Sequence, residues 1–250
     1  MSKTLQILMP MGGLGSRFSK AGFTTPKPLI EVDGRPMFLS AAASIDGIEA
    51  PKKIFFVIRQ EHVDQYDLKN LIIGKLPEGN ITVIPQMTRG AAETAYAAVP
   101  ELNPDDPLII MDCDFKFSSD AYNKMAQAVV SGQSDIDAGL LTFESTDPRY
   151  SFAETNNTGR VLRTAEKQAI SSHAIWGAYF FAKASTFTTA ATELLAQPLS
   201  NEMKEYYISF LYNIILKNGG KVLATPVDSF ASFGTPEEFE AYVGHPVDPS

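Results

Sequence analysis

Short apolar runs alternate with amphipathic stretches through the first half of the chain. Leu5–Pro10, Lys53–Ile58, Asn80–Pro85 and Pro107–Met111 are compact and rich in aliphatic or aromatic residues, the pattern of strands buried on both faces. Between them, Pro36–Ser44, His62–Ile73 and Gly90–Val99 place apolar or small residues at helical spacing, with Pro36 suited to a first helical turn. This alternation predicts a parallel sheet with helices on both faces. Asp120–Ser131 then reads as a helix and Ala138–Phe143 as a strand. Tyr150–Thr155 and Arg160–Thr164 flank Asn156-Asn157-Thr158-Gly159, a hairpin signal. Ile175–Phe181 is a strand, Lys183–Leu195 and Met203–Leu216 are helices, Lys221–Thr225 is a strand, and Pro236–Tyr242 is a short helix before a loose tail over 245–250. No repeat, low-complexity tract or linker interrupts the pattern. The expected fold is a Rossmann-like three-layer α/β/α sandwich, with a mostly parallel central sheet and a small β-hairpin subregion, in one domain over 1–250.

Composition narrows the partners. A net charge of −8 disfavours broad binding to a nucleic-acid backbone, so any anion site must be a local cluster of cations. The single cysteine, Cys113, excludes an internal disulfide and suits a reducing compartment. The N-terminal apolar run is too short for a signal peptide, and no later run approaches the ~18 residues of a membrane span. The expectation is a cytoplasmic protein with neither nucleic acid nor membrane as partner. A homo-oligomer is left open.

Directly after the first strand comes Met11-Gly12-Gly13-Leu14-Gly15-Ser16-Arg17, and ten residues after Arg17 stands Lys27, set between Pro26 and Pro28. Glycines let the backbone approach a ligand and turn N–H groups toward it. Arg17 adds a planar, permanently charged donor set, and Lys27 a compact point charge. The segment reads as a cradle for a triphosphate. It is not a P-loop, because Gly15 is followed by Ser16-Arg17 rather than by lysine. It is not a dinucleotide fingerprint either, because Phe18 stands where a third glycine or alanine is needed.

GGLGSR followed by PKPL resembles the entry signature of the sugar-phosphate nucleotidyltransferases, the nucleoside-diphosphate-sugar pyrophosphorylase-like enzymes. The resemblance runs from Ile7 to Phe239, with later motifs individually weak but in the right order. It implies the nucleotide-diphospho-sugar transferase fold, with a nucleotide half at about 1–118 and an acceptor half at about 119–243. It also implies that Met11, Gly12, Gly13, Gly15, Ser16 and Arg17 embrace an NTP while Lys27 sits at the reacting phosphates.

Three further clusters bear on this. Gln86-Met87-Thr88-Arg89-Gly90-Ala91 follows the third strand, where ligands of open α/β sheets bind. The Gln86 amide suits a base edge, favouring a pyrimidine, and Gly90 and Ala91 leave room for a flat ring. Glu93 is expected to cap or pack. Asp112-Cys113-Asp114 ends the fourth strand. Two carboxylates there need a cation or donors, and Mg²⁺ beside a phosphate is the natural choice; the resemblance implies Asp114 as the first ligand and Asp112 as the second. Cys113 between them is expected to have a raised pKa and not to act as a nucleophile. Glu166 and Lys167 follow the hairpin and match the family's acceptor-binding pair, carboxylate to sugar hydroxyls and lysine to phosphate. The resemblance also implies that Gly177 clears space for the sugar and that Glu205 reaches the acceptor side; His173 and Trp176 are candidates to line that pocket, with buried packing the expected role of Trp176.

One position departs from the family. The acid expected two residues before Gly234-Thr235 is Ser232, which leaves the metal one carboxylate short unless Ser232 itself or Asp228 serves. The expected reaction is metal-assisted transfer of a nucleotidyl group, by Arg17, Lys27 and Asp114, onto a phosphorylated acceptor. A sugar 1-phosphate is the default, and the family context is synthesis of surface polysaccharide precursors. Three alternatives stay open at this point: a cytidylyltransferase for a non-sugar phosphate, a DxD nucleotide-sugar glycosyltransferase, and a non-catalytic nucleotide or sugar-phosphate binding protein.

Overall fold

A computed structural model describes residues 3–201 and 203–244. The elements in chain order are β1 (Leu5–Pro10), α1 (Ser16–Lys20), a 3-10 turn at Lys27–Leu29, β2 (Glu31–Val32), β3 (Arg35–Pro36), α2 (Met37–Ala42), β4 (Lys52–Arg59), α3 (Gln60–Tyr66), α4 (Leu68–Lys75), β5 (Asn80–Ile84), α5 (Ala91–Tyr96), β6 (Leu108–Met111) and β7 (Phe115–Ser118). There follow α6 (Asp120–Val130), β8 (Ala138–Glu144), β9 (Ser151–Thr155), β10 (Val161–Glu166), β11 (His173–Phe181), α7 (Ala184–Leu195), α8 (Ser209–Lys217), β12 (Val222–Pro226), β13 (Ser229–Ser232) and α9 (Pro236–Val243).

The central sheet is mostly parallel and takes strands from both halves of the chain. β1 lies between β4 and β6, parallel to each, and β5 extends β4 in the same sense. β11 reverses direction beside β6 and carries antiparallel β8, with β12 parallel to β8 outside it. The β9–β10 hairpin joins through Ala174 of β11, opposite Phe152. One stretch of β11 matters for the site. β6 covers Ala178–Phe181 and β9 meets the strand at Ala174; between these the register against β8 slips from Trp176 to Tyr179. Gly177 lies in that slip.

Side chains along β1 alternate as a two-residue period requires. Leu8 packs with α5, α7 and α8 on one face, whereas Leu5, Ile7 and Met9 pack with α2, α4 and α6 on the other. Buried Gln6 is satisfied by the backbone of Asn103, donating to its carbonyl at 2.9 Å and accepting its N–H at 2.8 Å. A third, smaller cluster joins Phe18 of α1, Ile30, Val32 and Met37 to Phe233 and Phe239 from the C-terminal segment.

Two expected helices differ from the structure. His62–Ile73 is not continuous: Asp67 takes a left-handed φ of 54° and separates α3 from α4, its carboxylate accepting from the Asn70 amide at 2.9 Å. Short polar side chains tolerate that conformation, which ends a helix. Met203–Leu216 is helical only from Ser209. The backbone of Tyr206 is committed elsewhere, its N–H donating to the Arg89 carbonyl and its carbonyl accepting from Ala92 N–H, both at 2.9 Å. The ribbon of β7 against β13 was not legible in the sequence; it places Ser232 opposite Phe115, next to Asp114. The expected tail over 245–250 lies outside the described residues.

Candidate active site

The site forms where β1 and β6 end. Met11 continues the β1 ladder, its N–H donating to the Val57 carbonyl at 2.8 Å, and its side chain is buried. Gly12 then turns past α5 so closely that a Cβ would stand 3.1 Å from Thr94 Cγ2. Gly15 has a φ of 61°, which glycine adopts without strain, and it opens α1. Phe18, the residue that breaks the dinucleotide fingerprint, is 2% exposed and anchors α1 in the third cluster. Gly13, Ser16 and Arg17 stay exposed. Glu237 at the start of α9 is held below the usual carboxyl range by hydrogen bonds at that helix end and, more weakly, by Arg17.

Lys27 begins a 3-10 turn between its two prolines, which fixes its backbone. Its ammonium donates to Asp114 Oδ2 at 2.5 Å and to the Gly234 carbonyl at 3.2 Å, and lies 5.4 Å from the centre of the Phe18 ring. Burial alone would lower its pKa. The charge and hydrogen bond of Asp114, with a smaller contribution from Asp112, outweigh that and raise it above the ordinary lysine value, so it stays a cation.

Asp112 reaches water through the cleft but is ringed by protein. Desolvation, then the neighbouring charge of Asp114, push its pKa up to about 7, with Lys27 opposing. Its carboxylate occupies the space left by Gly177, where a Cβ would come within 2.4 Å of Asp112 Oδ2 and 3.0 Å of the Phe115 ring. Gly177 thus makes room first for a carboxylate of the site itself. Burial pushes the Cys113 thiol up, in keeping with an unreactive cysteine.

Asp112 and Asp114 are shared by two cavities. The first, about 190 Å³, lies under the glycine loop against Gly13, Gly15 and Lys27. It is also lined by His62 and Tyr66 of α3, whose four-residue spacing puts them on one helix face. The Arg59 guanidinium donates to His62 Nε2 at 2.9 Å, because arginine has no acceptor, so that nitrogen is unprotonated and the ring is neutral. The second cavity, about 220 Å³, opens on the other side of the two aspartates and is lined by Arg149, Ser151, Glu166, Trp176, Gly177 and Ser232, among others.

Glu166 is fixed in this second cavity by the hydroxyls of Ser151 and Ser209, the latter donating at 2.9 Å. Trp176 is 6% exposed and packs against Phe115, Phe143 and Phe230 while lining the cavity. His173 does not line it. Lys167 departs from the expected arrangement. It has a φ of 54°, and its ammonium donates to the Tyr207 hydroxyl at 2.8 Å instead of lining the cavity. Glu205 is exposed and lines neither cavity.

Gln86, Gly90 and Ala91 line neither cavity either, and Gln86 is exposed. The structural demand on Gly90 comes from packing. Its φ is 146°, and a Cβ would meet the Tyr206 backbone at 2.6 Å. Glu93 caps this loop as expected, accepting the Arg89 N–H at 2.6 Å, while the Arg89 guanidinium lies 4.9 Å from the centre of the Tyr206 ring.

Of the two candidates for the missing acid, Asp228 is spent elsewhere: its carboxylate accepts the Asp120 N–H at 2.8 Å at the start of α6. Ser232 does face the site, and its hydroxyl donates to Glu238 Oε2 at 2.7 Å. The same Glu238 oxygen and Asp114 Oδ2 flank Gly234, at 3.1 and 3.8 Å from where its Cβ would stand. Glu238 therefore brings a carboxylate to the shoulder of Asp114 from α9. No sequence motif marks it, because it lies four residues past Gly234.

Among the described residues no three His, Cys, Asp or Glu side chains stand together as a ready cation cage. Mg²⁺ does not require one. It takes one or two carboxylates and completes its shell with phosphate oxygens and water. Asp112 and Asp114, side by side with Lys27 paired to the latter, fit that demand when a phosphate is present.

The profile of the MobA-like NTP transferase domain matches residues 8–175. No curated protein sequence matches the chain. Among solved structures, the nucleoside-diphosphate-sugar pyrophosphorylase of Vibrio cholerae RC9 is 24% identical, with a TM-score of 0.79 over 96% of this chain and 100% of its own. A Bacillus anthracis protein assigned as a glucose-1-phosphate thymidylyltransferase, with sucrose bound, is 20% identical, with a TM-score of 0.73 over 98% of this chain and 96% of its own. The inositol-1-phosphate CTP transferase of T. maritima is 12% identical, with a TM-score of 0.69 over 96% of this chain and 93% of its own. These likenesses confirm the expected fold: a Rossmann-like sheet, mostly parallel, with a small antiparallel hairpin.

Proposed function

Because the chain belongs to the MobA-like NTP transferase domain family and is a nucleotidyltransferase, we propose that it joins a pyrimidine NTP to a small phosphorylated acceptor, a sugar 1-phosphate or a close relative. The observation that carries this reading is the Lys27–Asp114 contact at the boundary of two cavities, one beneath a glycine loop and one lined by Glu166. A two-substrate phosphoryl reaction needs that layout: a charged partition at which both substrates present a phosphate. The acceptor class rests on two structural relatives named for 1-phosphates, and the pyrimidine on their thymidylyl and cytidylyl specificities. Membership of the family sets aside the glycosyltransferase and the non-catalytic binding protein.

In the proposed reaction an acceptor phosphate oxygen attacks the α-phosphorus of the NTP. The new P–O bond forms as the bond to the bridging oxygen breaks, and pyrophosphate carries that electron pair away. The attacking oxygen is already anionic, so no general base is required, and catalysis consists of positioning and charge stabilisation. Lys27 remains charged and would stabilise the negative charge that builds on the α-phosphoryl group. The backbone of Gly12, Gly13 and Gly15, with Ser16 and Arg17, would close on the β- and γ-phosphates. Glu166, fixed by two serines, would accept hydrogen bonds from acceptor hydroxyls. Asp112 and Asp114 would hold Mg²⁺, which when bound neutralises phosphate charge. An activated sugar made in this way is the form consumed in polysaccharide assembly. The two halves, about 1–118 and 119–243, would act as one catalytic domain. The deciding experiment is pyrophosphate release from each common NTP with Mg²⁺ against a panel of phosphorylated acceptors. Release with CTP, UTP or dTTP and a sugar or cyclitol 1-phosphate is expected. Release with ATP or GTP alone would overturn the pyrimidine assignment, and none with any pair would overturn the reading.

A further inference from the structure

We propose that Arg149 is the side chain that receives the acceptor's phosphate, a role that rests on the two-substrate reading above. Among the described residues lining the second cavity, Arg149 is the one cation, whereas Asp112, Asp114 and Glu166 all present carboxylates there. A phosphorylated acceptor entering this space meets like charge on several sides, and a cation on the same wall offsets it. Lys167 is not on that wall, because its ammonium is held on the hydroxyl of Tyr207 and over its ring.

The local structure holds Arg149 in place yet leaves its charge exchangeable. Its N–H donates to Asp147 Oδ1 at 3.0 Å, which fixes the backbone in a turn. Its guanidinium lies 4.7 Å from the centre of the Tyr150 ring, and Tyr150 is braced edge-on by Phe143 behind the cavity wall. The present ion pairs are loose and solvated: Nε to Asp147 at 3.2 Å and Nη1 to Glu238 at 3.8 Å, with the side chain 60% exposed. Exposed pairs of this kind contribute little, and a phosphate, which a guanidinium grips in bidentate fashion, displaces them. Departure of Arg149 from Glu238 would also release that carboxylate beside Asp114.

The test is calorimetric titration of glucose 1-phosphate, myo-inositol 1-phosphate, phosphocholine and inorganic phosphate into the enzyme. It is run on wild type, Arg149→Ala, Arg149→Lys and Lys167→Ala, with MgCTP, MgUTP and MgdTTP titrated in parallel. Arg149→Ala should weaken the best-binding phosphate compound by about 10- to 100-fold, the loss of one charged hydrogen-bonding partner. Arg149→Lys should recover part of that loss, and the affinity for the best-binding nucleotide should stay within about twofold, since Arg149 lines only the acceptor cavity. Steady-state kinetics should show the same split, in acceptor KM rather than nucleotide KM. A larger loss in Lys167→Ala than in Arg149→Ala would overturn the assignment. So would failure of wild type to bind any of the four phosphate compounds. Nucleotide binding retained in that case leaves the transferase reading standing, and loss of both sinks the two together.

Discussion

Lys27 and Asp114 are 87 positions apart in the chain and 2.5 Å apart in the fold, and the carboxylate of this pair belongs to both cavities. Replacing Lys27 by alanine removes a half-buried cation from two neighbouring carboxylates. Turnover is expected to fall by about 10²–10³-fold, the usual effect of deleting one preorganised charge-stabilising donor. Nucleotide binding measured by calorimetry should largely persist. An unchanged kcat would remove Lys27 from the chemistry.

Gly177 and Gly13 make a matched pair for substitution. Gly177→Ala forces a methyl to within 2.4 Å of Asp112 Oδ2, whereas Gly13 has nothing within 4 Å of its would-be Cβ. Alanine at 177 should cost about 1–3 kcal/mol of stability through overpacking and should weaken Mg²⁺ affinity by displacing Asp112. Alanine at 13 should leave the melting temperature near that of wild type. Equal effects from the two substitutions would contradict the account of Gly177.

Restoring the acid that the resemblance led one to expect should be harmful here. Ser232→Asp would set a second carboxylate against Glu238, whose Oε2 now accepts from the Ser232 hydroxyl. The single variant should lower Tm and the double variant Ser232→Asp with Glu238→Gln should recover it, a coupling that a double-mutant cycle measures directly. Additive effects would mean that Glu238 does not stand in for the absent acid.

His62 supplies a pH signature. Burial first and the Arg59 guanidinium second lower its pKa below 6.5, with Glu61 opposing. The folded pKa is below the unfolded value, so the stability gained by keeping the ring neutral is complete above pH 6.5. It is lost as the pH falls below 6.5 through the folded pKa. An NMR titration should place the His62 midpoint below 6.5, and His62→Gln should narrow the drop in Tm on going from neutral to mildly acidic buffer. A midpoint at or above 6.5 would refute this.

Strand positions were legible because buried parallel strands write themselves as apolar runs; Leu5–Pro10 emerges with its bounds unchanged. Gly15 and Lys27 drew notice through local chemistry, a glycine turn and a cation after a strand, whereas Asp114, Glu166 and Gly177 were singled out by the resemblance, and the space at Gly177 is taken by Asp112 rather than left for a sugar. What escaped was set by contacts across the chain. Tyr206 could not be seen to abandon a helix for the backbone of Arg89 and Ala92. Nor could Lys167 be seen to settle on Tyr207, 40 positions away. Glu238 and Arg149 were not singled out at all, since nothing local marks a residue whose partners arrive from another segment.

The small cluster beneath the glycine loop also has a bearing on how the molecule is made. Phe18 rests on Phe239, and the carbonyl that steadies Lys27 belongs to Gly234, 207 positions downstream. A nascent chain that has emerged only as far as α8 can complete most of the parallel strands, yet its phosphate loop still lacks a floor. Nucleotide binding at this loop is therefore expected only once α9 has docked. A ribosome-stalled chain ending before Phe233 should bind no nucleotide even where its sheet has formed.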